Sequence, residues 1–589
     1  MPGRLEVMRR GSHVVLIVLA TLTAATWAKT DKSAAGKEEL LTSTTELGRY
    51  GGRLVVSQRA EAKTLNPVTA IDRPSREVLY RMHADLIHID RVTHRTEPAL
   101  AKSWTASKDG RQYTLHLRRG IRFSDGQAFD SDDVVFSFQV YLDEKVHSPQ
   151  RDLLMARGQT ITVQKLDPYT VLFRLAQPDA AAERLFDSVA ILPRHLLERA
   201  YRDGTLSQTW SLTTPPDQIA GLGPFRLKKY LPGQQITLER NPYYWKADTK
   251  GNRLPYLDEL MFLMVASEDA EAIRFQTGDT DVISRLTSEN YALLAKDQES
   301  RGYALQDLGS GLEYNFVLFN LNDDTAGRLP DIERKQKWFR DVKFRQAVSA
   351  AIDRAGIVRL VYQGRGTPLW AQVTPGNGLW LDSHIPQPPQ SLSRARELLK
   401  SAGFSWNKDG RLQDHNGQIL EFSIISSSSN SQRMLIANII QQDLAKLGMQ
   451  VGVVPLEFRT FLQRVTQTHE YEAAVMGLLS GDVDPNVEMN VWASSGGTHL
   501  WNLGEKQPAT PWEAEIDNLM EQQAITRNYN TRKKLYDRVQ EIVAEQLPII
   551  CVASPNILVG SKKGLGNFRP AILDHYTLHN AEDLFWSRK

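Results

Sequence analysis

The chain has 589 residues, 41% of them apolar and 24% charged, the composition of a globular protein rather than a disordered or collagenous one. At about 150 residues per domain, that length gives roughly three to four domains. Its 71 Lys and Arg against 69 Asp and Glu leave a formal charge of +2, without the surplus of cation that nucleic-acid binding draws on.

The amino terminus reads as an export signal. Arg4, Arg9 and Arg10 precede an apolar run from Val14 to Leu22, and small residues then lead to Ala28, the pattern of a cleaved signal peptide. That run falls short of the roughly 20 residues a membrane span requires, so no stable membrane insertion is expected. Removing residues 1–28 leaves 68 charges of each sign. No Cys lies near the cleavage site to carry a lipid, and the expected location is the periplasm. Residues 29–48 are polar, with few large apolar groups, and read as a disordered leader.

Beyond residue 48 the chain reads as mixed α/β, with no repeat of 20–50 residues. "RLVVSQ" from Arg53 and "QYTLHL" from Gln112 alternate as strands. "FDSDDVVFSFQVYL" places Asp130 or Ser131 to cap a helix, with Asp132 and Asp133 in its first turn. "FRQAVSAAIDRAGIVRLVY" and "MLIANIIQQDLAKLG" carry helical apolar spacing, the second closing at Gly448. Cys551, the only cysteine, sits in the apolar run "LPIICVAS" and reads as a packed thiol on a buried strand. A lone cysteine rules out an intramolecular disulfide and any Cys-rich metal site.

Motifs that would mark an enzyme are missing. The sequence holds no phosphate-binding P-loop, no G-x-S-x-G elbow and no H-E-x-x-H helix. His575 and His579 are four residues apart but lack a helical face. Asp130, Asp132 and Asp133 lack the Gly and closing Glu of a calcium loop. No catalytic residue, no cofactor and no metal is therefore expected.

Several segments together resemble a known family. "PALAKSW" (Pro98 to Trp104), "DGRQYTLHLRRGIRFSDGQAF" (Asp109 to Phe129), "GLGPFRL" (Gly221 to Leu227), "ERNPYYW" (Glu239 to Trp245), "LPYLDEL" (Leu254 to Leu260), "FRDVKFRQAVSAAIDR" (Phe339 to Arg354) and "ARELLKSAGF" (Ala395 to Phe404) occur in order. This series is similar to the family 5 extracellular solute-binding proteins, the dipeptide, oligopeptide and nickel receptors of ABC importers. Most of its residues serve turns and core anchors: Asp109-Gly110 and Asp125-Gly126 suit tight turns, and Trp104, Tyr244 and Trp245 suit cores.

The resemblance implies an α/β fold of the periplasmic binding protein type II kind, two lobes about a hinge with an extra α/β subdomain inserted in the first. The expected division is a first-lobe segment at 49–74, the insertion at 75–198, a second first-lobe segment at 199–283, the second lobe at 284–552 and a return segment at 553–589. The implied function is capture of a peptide-like solute between the lobes and its delivery to an ABC permease whose ATPase is on a separate chain. The receptor itself is expected to be monomeric. A secreted enzyme or chaperone-like protein on the same scaffold, or a receptor for a sugar or metal chelate, are the alternatives.

In peptide receptors of the family an Asp on a second-lobe loop pairs with the peptide's α-ammonium. The matching loop is "GLLSGDVDPNVEMNVWAS", in which Asp482 falls nearest the anchoring position. The loop departs from the family pattern in carrying Leu478-Leu479 where a Trp is common and in being one residue shorter. Tyr314, Trp370, Trp380, Trp492 and Trp501 are candidate stacking contacts, and Arg365 is a candidate partner for a ligand carboxylate.

Overall fold

The computed structural model describes residues 38–587 except 152, 153, 157, 158 and 188. The expected signal peptide and the first part of the expected leader lie outside the described residues.

One large mixed sheet organises the chain. Its strands are β1 (Arg53–Gln58), β2 (Phe225–Leu231), β3 (Gln235–Arg240), β4 (Glu259–Met264), β5 (Val282–Ile283), β6 (Tyr303–Ser310), β7 (Glu313–Phe319), β8 (Gly366–Pro368), β9 (Glu421–Ser427), β10 (Gln450–Leu456), β11 (Ala473–Leu479) and β12 (Ile549–Lys562). The main path runs β2-β3-β4-β1-β5-β12-β7-β11-β9-β10, with β6 and β8 also paired to β12. Strand β1 alternates as its sequence predicts, with Leu54 and Val56 turned into the core.

The long strand β12 serves both halves of the molecule. Its first part pairs antiparallel with β7, Ile549 opposite Leu318 and Cys551 opposite Phe316. Its second part pairs with β6, Asn556 opposite Ser310 and Lys562 opposite Tyr303. The chain thus passes between halves at two adjacent places, Ser310–Leu312 and Ser554–Asn556. They are tied by Ser310 Oγ donating to Ser554 Oγ at 2.8 Å and Gly311 N to Pro555 O at 3.2 Å. The first passage lies later in the chain than the expected boundary near Ile283. That residue packs inside the first half with Phe275, Tyr303 and Leu558, because two further elements, helix Ser288–Ala295 and β6, intervene before the chain leaves.

Each half has its own core. In the first, Leu54, Leu238 and Leu260 of the large sheet pack in one cluster with Tyr113, Phe138 and Phe173. The last three come from a four-stranded antiparallel sheet (Ala101–Ala106, Gln112–Leu117, Thr170–Arg174, Thr162–Asp167) and the helix Ser131–Leu142 beside it. Asp130 caps that helix as predicted, and Asp133 completes a capping box by accepting from the Asp130 N–H. The second half is built around Phe319, Phe339, Phe344 and Phe422, with helices Val342–Ala351 and Ser431–Ala445 against the sheet. Cys551 is buried there, and burial pushes its thiol up to about 12.

Residues 38–48 depart from the expected disorder. Leu41–Thr42 pair in parallel with Lys246–Ala247. Glu39 accepts from Lys102 at 2.8 Å, and Ser43 Oγ donates to Asp583 at 2.8 Å. The segment is held by both kinds of contact, since Leu40 and Leu41 also pack against the first-half core.

Candidate functional site

A cavity of about 1340 Å³ lies between the halves. That exceeds the roughly 300–1,000 Å³ of pockets for drug-sized ligands.

The helix Arg73–Met82 contributes Arg76, Leu79, Tyr80 and Arg81 to the wall from the first half. Asp72 caps it, accepting from Ser75 N at 2.9 Å, and Pro74 lies in its first turn. Residues 77, 80 and 81 therefore share a face. Arg81 lies 3.4 Å from Glu77 and donates to His575 Nδ1 at 3.2 Å, while the Tyr80 ring stacks on His575 at 4.1 Å. Burial works against the Glu77 charge, but His575 and Arg81 outweigh it and hold the carboxyl below its usual range. Burial lowers the His575 pKa, against the opposing pull of Glu77. Nearby, Arg91 donates to Asp187 at 2.9 Å and to the Tyr80 hydroxyl at 3.0 Å. Lys246 reaches Glu582 at 2.7 Å.

Where that helix ends, Gly221 and Gly223 let strand β2 approach the backbone of residues 81–83. A Cβ on Gly223 would sit 2.4 Å from Met82 C, and Gly223 N donates to Met82 O at 2.9 Å. The requirement is close approach rather than an unusual backbone angle.

The wall from the second half comes from the loop after β11. Ser480, Gly481, Asp482, Asn486, Asn490 and Gly496 line it. Asp482 is engaged by both Nε and Nη2 of Arg184, from the first half. Burial disfavours the Arg184 charge, yet Asp482 raises its pKa. Asp484, two residues on, is gripped by Arg532 of its own half at 2.6 and 2.7 Å, and both side chains are more than nine-tenths buried. Other bonds cross between the halves: Ala180 N to Ala524 O at 2.7 Å, and Asn486 Nδ2 to Asp179 Oδ1 at 2.8 Å. The arrangement is closed.

Of the seven residues singled out from sequence, Asp482 alone lines the cavity. Tyr314 is buried, its hydroxyl donating to Glu488 at 3.0 Å, and Trp492 donates to the same carboxylate at 3.1 Å. Trp501 donates to Glu513 at 2.9 Å. Trp380 packs between Tyr529 and Tyr536, and Trp370 donates to Pro388 O at 3.1 Å. Arg365 lies over the Tyr291 ring at 4.6 Å. Trp492 and Trp501 are core anchors whose N–H groups are satisfied within the second half, Trp380 packs in the same core, and Trp370 is half-buried. The charged first-half wall is invisible in the sequence because it joins segments near residues 80, 187, 246 and 580, with no local motif.

Asp85, His88 and Asp187 converge within reach of one ion on the cavity side. Arg91 already supplies a cation to Asp187, so this group is a salt-bridge network rather than a metal centre.

A large cavity between two halves that are joined by adjacent strand passages and bridged by hydrogen bonds is the geometry of a ligand-trapping receptor, the hinged closure around a solute that periplasmic binding proteins exemplify as a class. The chain belongs to the bacterial extracellular solute-binding proteins, family 5, whose profile matches residues 95–499. It is 27% identical over 528 residues to a probable ABC transporter-binding protein of Deinococcus radiodurans, covering 86% of this chain and 87% of that one. It is 26% identical to the oligopeptide-binding protein AppA of Bacillus subtilis, covering 97% and 96%. The structure of AppA in complex with a nonapeptide superposes with a TM-score of 0.68 at 24% identity, over 92% of this chain and all of that one. Among the described residues no helix is long and apolar enough to cross a membrane.

Proposed function

We propose that this solute-binding protein is an exported receptor that captures a peptide-like solute between its halves and delivers it to an ABC permease with its ATPase on separate chains. The observation that carries the reading is the large cavity whose second-half wall presents the Asp482 carboxylate, held by an arginine of the opposite half. A peptide α-ammonium replaces the Arg184 guanidinium on Asp482, so the carboxylate is never left buried and unpaired. The kinship with an oligopeptide-binding protein supports a peptide cargo. A receptor role agrees with the first-half wall, where Arg81, Arg91 and Lys246 are each bonded to a neighbouring carboxylate instead of standing as unpaired acids and bases beside a reacting atom.

The test is calorimetry with a free-amine peptide and its N-acetylated form. Asp482→Asn is expected to weaken the free-amine peptide about ten- to a hundredfold, the worth of one charge-assisted bond of roughly 1.5–3 kcal/mol, and to leave the acetylated one nearly unchanged. Equal binding of the free-amine peptide by wild type and variant would remove Asp482 from the site.

A further inference from the structure

A second group of side chains lies behind the second-half wall, away from the cavity. His499 is fully buried, and its Nδ1 faces the Val491 carbonyl at 3.2 Å. A carbonyl only accepts, so Nδ1 donates to it and Nε2 is the ring atom turned away from that contact. Nε2 points at Glu505 Oε2 and Glu513 Oε1, each 3.7 Å away. Neither His499 Nε2 nor Glu505 Oε2 has a hydrogen-bond partner, although both are buried.

Two carboxylates and an imidazole nitrogen thus converge in a buried space, with their ligand atoms within 4.8 Å of one another. Two carboxylates this close in a buried space are costly unless positive charge lies among them. The carboxylates are already oriented from outside. Glu513 accepts from Trp501 Nε1 at 2.9 Å and from Thr510 Oγ1 at 2.7 Å, and Glu505 Oε1 accepts from Asn502, as supporting groups orient metal ligands.

We propose that His499, Glu505 and Glu513 form a binding site for one zinc-class divalent cation, which pins the loop forming part of the cavity wall to the helix Pro511–Ile525. One nitrogen and two carboxylate oxygens suit such an ion better than calcium or magnesium, which take oxygen ligands. Bonds of about 2.1 Å in a tetrahedron place ligand atoms about 3.4 Å apart, a small contraction from the 3.7 Å seen here. The fourth position is left to water. The loop it would pin runs back through Gly496 and Ala493, which line the cavity, and His499 N donates to Gly496 O at 3.2 Å. The site shares no residue with the peptide anchor, so either assignment can fail alone.

The test uses tag-free full chain stripped with a chelator, titrated calorimetrically with zinc chloride and, in parallel, with calcium and magnesium chloride. One equivalent of zinc is expected to bind with submicromolar affinity and to raise the melting temperature, while calcium and magnesium do neither. Glu505→Gln keeps the volume and removes a ligand charge; it is expected to weaken zinc a hundredfold or more, the upper end of what even supporting residues contribute. In chelator its melting temperature is expected to equal or exceed that of the wild type, since a buried charge is gone. Cobalt then provides a readout independent of stability, with a visible ligand-field band present in the wild type and absent in Glu505→Gln. Absence of stoichiometric zinc binding, zinc binding unchanged in Glu505→Gln, or a preference for calcium or magnesium would each overturn the assignment.

Discussion

On the first-half wall of the cavity, Arg91 pairs with Asp187, Lys246 with Glu582 and Arg81 with Glu77, every partner within that half. On the second-half wall, Asp482 reaches across to Arg184, whereas Asp484 is held by Arg532 at home. A charge paired within its own half survives opening and closing unchanged. A charge paired across the gap changes partner with every cycle. Apart from Arg184, the first wall's pairs are therefore preorganised, and the ion pair across the gap is Asp482 with Arg184.

The largest effect that would break this contrast is expected at Asp484. Asp484→Asn leaves the buried Arg532 guanidinium without its counter-charge, a loss of roughly 3–5 kcal/mol readable by denaturant unfolding. A variant as stable as the wild type would mean that the internal pair is no more structural than the one across the gap.

Next comes pH. Burial lowers His83, on the first wall, to about 4 from its ordinary 6.5. The folded state therefore binds fewer protons than the unfolded one between those values, and stability falls as pH drops through that window. The loss is about 3 kcal/mol by pH 4, and His83→Gln is expected to flatten that part of the stability profile.

Arg184→Gln sharpens the contrast directly. It removes one partner of the ion pair between halves, so the ligand-free protein is expected to open. The readout is a larger radius of gyration by X-ray scattering, with stability changed by no more than about 1–2 kcal/mol. No change in dimensions would show that the other bonds across the gap suffice to hold it shut. The smallest effect is expected for Arg365→Ala, which loses a half-exposed contact over Tyr291 worth about 0.5–1 kcal/mol and leaves peptide affinity unchanged.

Local features are the most legible in sequence. The Asp130 cap, the alternation of β1 and the turn glycines Gly110 and Gly126, both with positive φ, depend on a few neighbouring residues. The pairing of Asp482 with a first-half arginine does not show, because Arg184 lies in an unremarkable segment 298 positions away. The tryptophans mislead for a physical reason: a large ring with one polar atom suits a ligand platform and a core anchor equally well, and only the location of its hydrogen-bond partner tells them apart. Helix Val342–Ala351 also stops sooner than the apolar spacing suggests, since Asp353 caps a second helix, Arg354–Val361.

Strand β12 ties the folding of the two halves together. Its 14 residues donate and accept ladder bonds on both sides of the passage at Ser554–Asn556, so one continuous strand is an integral part of the sheet in both halves. Local opening in one half is thereby coupled to the other, and the two are expected to melt as one cooperative unit. The amides of β12 then exchange with solvent only through global unfolding, even while the halves swing apart and together in the native state.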